Sequence, residues 1–127
     1  MIIYGIGTDI VSIKRIKSSL KKKKFIKRIF NELEVLKCRK VSTHYNCYAK
    51  RFAAKEAFSK AIGTGISKGI NFNEIVVLNN SSGKPHIDLR GETKKKIKKI
   101  LKQKKIKISL SLSDERDYAV AFVTITV

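Results

Sequence analysis

Two carboxylates and one ammonium stand where a plain solvated surface is not expected. Glu56 and Lys60 lie one turn apart in Arg51–Gly65, R-F-A-A-K-E-A-F-S-K-A-I-G-T-G, the most helix-prone run of the chain. On a helical wheel Ala54, Ala57, Phe58, Ala61 and Ile62 form a core arc, and Glu56 and Lys60 fall nearly opposite. Their neighbours on that second face are Ala49, Phe52 and Ala53, so the helix is expected to bury two sides. The acid and base are then either an i,i+4 pair worth about 0.3–0.5 kcal/mol or part of a site that small neighbours leave open to a ligand. The third group is Asp9, in Ile2-Ile3-Tyr4-Gly5-Ile6-Gly7-Thr8-Asp9-Ile10-Val11. Along a strand, Gly5, Gly7 and Asp9 share one face and Ile2, Tyr4, Ile6, Thr8 and Ile10 the other. Asp9 closes a face stripped of side chains, either as a turn or capping residue or as a carboxylate presented to a ligand. The run is no dinucleotide fingerprint, because Ile10 stands where the third glycine would be.

The remaining elements must bring these groups together. Ser12 can cap a helix over Ile13, Ile16 and Leu20, whose other positions (Lys14, Arg15, Lys17, Lys21–Lys24) are almost all basic. Helix continues from Phe25 to Phe30. Asn31-Glu32-Leu33-Glu34 reads as a capping box opening a short helix to about Lys40. Val41–Asn46 reads as a loop into the long helix, which Gly63 closes as a C-terminal cap. Phe72–Leu78 and Pro85–Leu89 read as a hairpin around Asn79-Asn80-Ser81-Ser82-Gly83. Gly91–Lys104 reads as an amphipathic helix with Ile97, Ile100 and Leu101 inward. Lys107–Ser113 alternates as a strand, and Tyr118–Val127 follows as its partner. The expected fold is α+β, a small antiparallel sheet packed with helices in one domain over residues 1–127.

Composition narrows the class. Lys and Arg outnumber Asp and Glu by 29 to 10, a net charge of +19, which suggests a polyanionic partner. The excess lies in lysine runs beside many Ile and Asn, a mix that compositional drift also produces. A small basic nucleic-acid-binding protein would explain the charge, yet no zinc pattern, helix-turn-helix or aromatic RNA-binding motif is visible. Cys38 and Cys47 are too far apart for a C-x-x-C motif and read as two free thiols suited to a reducing, cytoplasmic setting. The N-terminal apolar run is short and contains Asp9, so neither a signal peptide nor a membrane span is expected. His44 and His86 lack partners at ligand spacing and read as surface residues.

Four motifs in order, G-I-G-T-D-I-V, R-F-A-A-K-E-A-F-S-K-A, G-K-P at Gly83–Pro85 and S-L-S-D-E-R-D-Y-A at Ser111–Ala119, resemble the bacterial holo-acyl-carrier-protein synthases, the small phosphopantetheinyl transferases. The resemblance covers essentially the whole chain. It implies transfer of the phosphopantetheine arm of coenzyme A to a serine of apo-acyl carrier protein for fatty acid biosynthesis, releasing adenosine 3′,5′-bisphosphate. It implies Mg²⁺ held by Asp9 and Glu56, with Lys60 stabilising pyrophosphate charge and Glu56 the candidate for taking the serine proton. Magnesium suits a site of one or two carboxylates that leaves room for water and substrate phosphates. By the same resemblance Arg51, Lys55, Lys60, Gly63, Thr64, Gly65, Lys84, Pro85 and Asp114 line the coenzyme A site, Asp114 standing where many members have His. Lys84, at the mouth of a hairpin, could equally serve only to discourage edge pairing. Arg15, Lys24 and Arg28 match positions that receive the acidic helix of the carrier. The family's single-domain members are expected to be trimers with sites at subunit interfaces, and neither a nucleic acid nor a membrane partner is implied.

Overall fold

The computed structural model describes residues 1–63 and 69–127, so Thr64 and Gly65 of the expected coenzyme A lining lie outside the described residues. Strand β1 (Ile3–Ser12) leads into short helices α1 (Ile13–Ser19) and α2 (Lys23–Ile29), then α3 (Glu32–Lys40) and the long α4 (His44–Ile62). A single 3-10 turn (Phe72–Glu74) precedes the hairpin β2 (Ile75–Asn79) and β3 (Pro85–Leu89). Helix α5 (Gly91–Ile100), β4 (Lys107–Asp114) and β5 (Tyr118–Thr126) complete the chain. One antiparallel sheet has the order β1-β5-β4, and β2-β3 forms a separate ribbon. The α+β expectation is met.

α4 is the axis of the molecule. One side lies on the inner face of the sheet, where β5 contributes Ala119, Ala121, Val123 and Ile125, all fully buried. The glycines of β1 explain how closely the helix sits. A Cβ on Gly5 would collide with the backbone carbonyl of Ala61, and one on Gly7 with that of Ala57. The bare strand face is therefore a seat for helix backbone, and Asp9 is the first side chain beyond it.

The opposite side of α4 packs on α2, α3 and the ribbon. Phe52 meets Phe25 and Phe72, with ring centroids 6.0 and 6.2 Å away, and Tyr48 meets Phe30 edge-on at 4.9 Å. The helix does bury two sides, as its composition predicts, but both are buried within the one chain.

Three boundaries differ from expectation. α4 begins at His44, inside the stretch read as a loop. Its first turn is held from outside: the Asn46 amide donates to Asp114 Oδ2 at 2.8 Å and to the Glu115 carbonyl at 3.1 Å, and the Lys17 ammonium sits over the Tyr45 ring. Phe72 lies in the 3-10 turn rather than in a strand. α5 ends four residues short of Lys104, where Lys102 N–H bonds the Lys99 carbonyl and Gln103 N–H the Lys98 carbonyl, a Schellman closure with both residues at positive φ.

The cysteine reading also changes. Cys38, near the end of α3, and Cys47, in the first turn of α4, are joined as a disulfide, with Cα atoms 5.4 Å apart. The chain reverses between the two helices, so a separation of nine residues becomes a contact. Neither is a free thiol. Among the described residues no helix is long and apolar enough to cross a membrane.

Candidate active site

Antiparallel pairing sets Asp9 opposite Ala121, on the sheet face that α4 covers. Because α4 is seated on Gly7 and Gly5 through Ala57 and Ala61, the flanking Glu56 and Lys60 are delivered to the same end of β1. The Lys60 ammonium donates to the Thr8 carbonyl at 3.0 Å and to Asp9 Oδ1 at 3.3 Å. Lys60 thus pairs across to the strand rather than along its helix to Glu56, and the i,i+4 alternative is not realised.

The electrostatics mark the carboxylates as a coupled pair. Burial raises the Asp9 carboxyl above its ordinary range, while Lys60 pulls the other way. Burial also raises Glu56, and the neighbouring charge of Asp9 pushes it further up against the pull of Lys60. One ammonium, its side chain more than half exposed, does not neutralise two partly desolvated acids. Hard oxygen donors short of positive charge suit a divalent cation. Among the described residues no group of three His, Cys, Asp or Glu side chains could enclose one. Such a site would leave coordination positions for water and phosphate, as magnesium requires.

A second cluster forms where α4 meets the ribbon. Arg51 is buried, and its guanidinium donates to Asn79 Oδ1 at 2.9 Å and to the Cys47 sulfur and carbonyl at 3.1 and 3.4 Å. Its Nε, although buried, has no hydrogen-bond partner among the described residues. Asn79 stands opposite Pro85 in the ribbon and also donates to the Gly83 carbonyl, so Arg51, Gly83, Lys84 and Pro85 meet at one corner. The Lys84 residue is exposed there, with its backbone N–H on Asn80 Oδ1. A hollow of about 310 Å³ opens beside them, lined by Leu33, Lys37, Arg51, Asn79 and His86. Lys37 carries no signal of its own among many lysines, and His86, which reads from sequence as a surface residue, gains these neighbours only through β2-β3 pairing. Gly63 caps α4 in the left-handed conformation (φ 88°), with its N–H on the Ser59 carbonyl.

Lys55 is a correction. It is wholly buried and does not line the coenzyme A corner. Its three donors are spent on Glu34 Oε1 at 2.7 Å and on the carbonyls of Phe72 and Ile75 at 2.8 and 2.6 Å. Burial draws its ammonium down to about 8 against the pull of Glu34, which leaves it protonated at neutral pH. Glu34 closes the capping box expected at the start of α3, and its other oxygen accepts from Val77 N–H. The spacing Tyr48, Phe52, Lys55, Ser59, Ile62 places Lys55 on the buried arc, a signal that the charge of the residue obscured.

Asp114 lies on the same sheet face as Asp9, two residues along and two strands across. It is engaged by Asn46 and, at 3.4 Å, by Lys50, and so anchors the N-terminal turn of α4. Arg15 on α1 and Lys24 and Arg28 on α2 are exposed, above inward-facing Ile13, Ile16 and Ile29.

An antiparallel sheet seating a glycine-docked helix, with two carboxylates and a lysine at one end, is the architecture of a known class. The chain belongs to the 4′-phosphopantetheinyl transferase superfamily, whose family model matches residues 5–123. It is similar to the holo-[acyl-carrier-protein] synthase of Pelagibacter ubique, with 49% identity over 97% of this chain and 96% of that one. It also resembles the crystal structure of holo-[acyl-carrier-protein] synthase from Neisseria meningitidis, with a TM-score of 0.86 and 42% identity, covering 99% of this chain and 100% of that one. The synthase from Bacillus anthracis, solved in complex with CoA (3′,5′-ADP), matches with a TM-score of 0.79 and 38% identity over 98% of this chain and 97% of that one.

Proposed function

We propose that this chain, as one domain over residues 1–127, moves 4′-phosphopantetheine from coenzyme A to a serine of an apo-acyl carrier protein in fatty acid biosynthesis. The observation that carries this reading is the convergence of Asp9, Glu56 and Lys60 at the end of β1, with the two acids electrostatically coupled. Asp9 and Glu56 would hold Mg²⁺, which when bound supplies neutralising charge to the pyrophosphate of coenzyme A. Glu56, its carboxyl raised by burial and by Asp9, is suited to accept the proton of the attacking serine hydroxyl. The serine oxygen bonds to the phosphorus that carries pantetheine, and the bond from that phosphorus to the bridging oxygen breaks. Adenosine 3′,5′-bisphosphate leaves with the electron pair. Lys60 holds the phosphate charge, and Arg51, Gly63, Thr64, Gly65, Lys84, Pro85 and Asp114 are proposed as the surroundings of coenzyme A. Lys55 is left out of that set for the reason given above.

The acidic carrier would dock on Arg15, Lys24 and Arg28, where rim charges set the encounter rate. Arg15→Glu should raise the carrier KM and leave coenzyme A affinity near wild type. We also propose a homotrimer with sites at its interfaces. The support comes from the outer face of the sheet, not from α4: Ile6, Ile10, Val120 and Phe122 are 60%, 64%, 36% and 44% exposed side by side. A second and third copy of the chain would cover them. Phe122→Lys should give a monomer by light scattering, and a trimer unaffected by that change would refute this choice of face. Action in the cytoplasm is proposed with the reaction, and maleimide trapping in intact cells tests it: both cysteines should label if the Cys38–Cys47 pair is held reduced there.

The deciding experiment weighs an apo-carrier of known competence after incubation with this protein, coenzyme A and magnesium. A gain of one phosphopantetheine is expected, and an unchanged mass would overturn the assignment.

A further inference from the structure

One hollow on this protein shares no residue with the carboxylate site or with the corner at Arg51. It lies between β3, α5 and the start of β4, with a volume of about 400 Å³. Its floor is hydrocarbon: Leu89, Ile97, Leu101 and Ile108 line it, Ile97 and Leu101 being almost fully buried. Its rim is cationic, with Lys94 and Lys98 one turn apart on α5 and Lys104 and Lys105 on the following segment. The acid in the lining, Asp88, is already neutralised by Arg90, whose Nε donates to it at 2.8 Å. Among the described residues, these four ammoniums over an apolar floor have no acid paired with them.

Backbone geometry holds the rim in place. The Schellman closure of α5 sets Lys102 and Gln103 at φ 53° and 62°, where glycine is the usual occupant. Two successive side chains in the left-handed region cost about 1–2 kcal/mol each. The reversal they make turns the chain back so that Lys104 and Lys105 line the same hollow as Lys94 and Lys98. A short lysine tail trailing into solvent would not require it.

We propose that this hollow binds the anion of a free medium-chain fatty acid, with the alkyl chain on the Leu89–Ile97–Leu101 floor and the carboxylate among the rim lysines. Charge complementarity selects an anion, and the apolar floor selects one with an alkyl chain over a nucleotide, a phosphate or an acidic peptide. The volume lies within the usual range for a small-molecule site, about 300–1,000 Å³. This inference does not depend on the transferase reading, because the two sites have no residue in common.

The test uses the full chain, with decanoate well below its micellar concentration, and follows binding by calorimetry and by methyl chemical shifts. Decanoate should bind at one site per chain and shift the Ile97, Leu101 and Ile108 methyls. Octanoate, with two methylenes fewer, should bind about fifteenfold more weakly, since each buried methylene contributes about fourfold in affinity. Octan-1-ol, which keeps octanoate's tail without the charge, should bind several-fold more weakly than octanoate, and pyrophosphate should not shift the floor methyls at all. Lys98→Glu with Lys104→Glu, both exposed and away from the core, should cut decanoate affinity at least tenfold while leaving the melting temperature near wild type. Three results would overturn the proposal: pyrophosphate shifting the Ile97, Leu101 and Ile108 methyls as decanoate does, indifference to the double charge reversal, or shifts confined to the exposed sheet face around Phe122.

Discussion

Replacing Lys55 by Met tests whether that residue is a strut or a ligand. In the fold its ammonium holds together α3 through Glu34, the 3-10 turn through the Phe72 carbonyl, and β2 through the Ile75 carbonyl. Methionine fills the same volume and removes all three donors. Glu34 keeps its bonds from Asn31 N–H and Val77 N–H but loses its hydrogen-bonded cation, leaving only the more distant charge of buried Arg51. Breaking a buried pair from one side costs about 3–5 kcal/mol. That is a fifth or more of the roughly 5–15 kcal/mol that holds a domain together.

Urea unfolding followed by circular dichroism measures this directly. With a slope of about 2 kcal/mol per molar urea, the midpoint should fall by about 2 M. Pairing Lys55→Met with Glu34→Gln should recover part of the loss, because the orphaned charge goes, although the single amide oxygen can accept from only one of Asn31 N–H and Val77 N–H. Coenzyme A affinity, measured without denaturant where the variant is still folded, should stay within about twofold of wild type. The reasoning is refuted by the reverse pattern: an unchanged midpoint with affinity lost more than tenfold, as a residue lining the coenzyme A site would give.

Three further outcomes are expected. Gly7→Ala drives a methyl against the Ala57 carbonyl, so the helix must lift from β1; stability should drop by about 1–3 kcal/mol in urea unfolding, and turnover should fall with it because Glu56 moves away from Asp9. Lys102→Gly relieves one left-handed side chain and should gain about 1 kcal/mol, read as a rise of a few degrees in melting temperature. Asp9→Asn and Glu56→Gln should each cut turnover about a hundredfold or more and yet raise the metal-free melting temperature at pH 7. The sign follows from folded-state carboxyls that ionise above their unfolded range: their protonated forms stabilise the fold in acid, and that contribution is lost as pH rises through the folded values. Thermal melts from pH 4 to pH 8 should show a shallower loss in the two variants.

What was legible in the sequence was periodicity, caps and turn chemistry. The alternation of β1, the glycine that ends α4, the Asn31–Glu34 box and the hairpin around Asn80 are all local, and all are present. The misses share one cause: a tertiary partner decided what local signals left open. The first turn of α4 is helical because Asn46 has Asp114 to bind. α5 stops early because three backbone bonds close it before its lysines run out. Cys38 and Cys47 are distant in sequence terms only until two helices fold back on each other. Lys55 misled in a different way, since a lysine beside a glutamate in a motif invites a surface role, and only the residues three and four away show it to be buried.

The carboxylate site exists because packing there is unfinished. Gly5 and Gly7 bring α4 so close to β1 that no side chain fits between them, and that closeness forces Asp9 and Glu56 to share the first open space beyond. Two partly desolvated acids, one raised further by the charge of the other, are a local fault in stability, which Lys60 only partly repairs. A fold selected for stability alone would place an amide or an apolar side chain at either position. On the function proposed above, retaining both charges would let the site receive positive charge that arrives with the substrate. It also leaves Glu56 readier to take a proton than a solvated carboxylate would be. The close helix–strand contact that steadies the fold is thus what concentrates the charge that chemistry requires, and a glycine change that loosened the one would be expected to weaken the other.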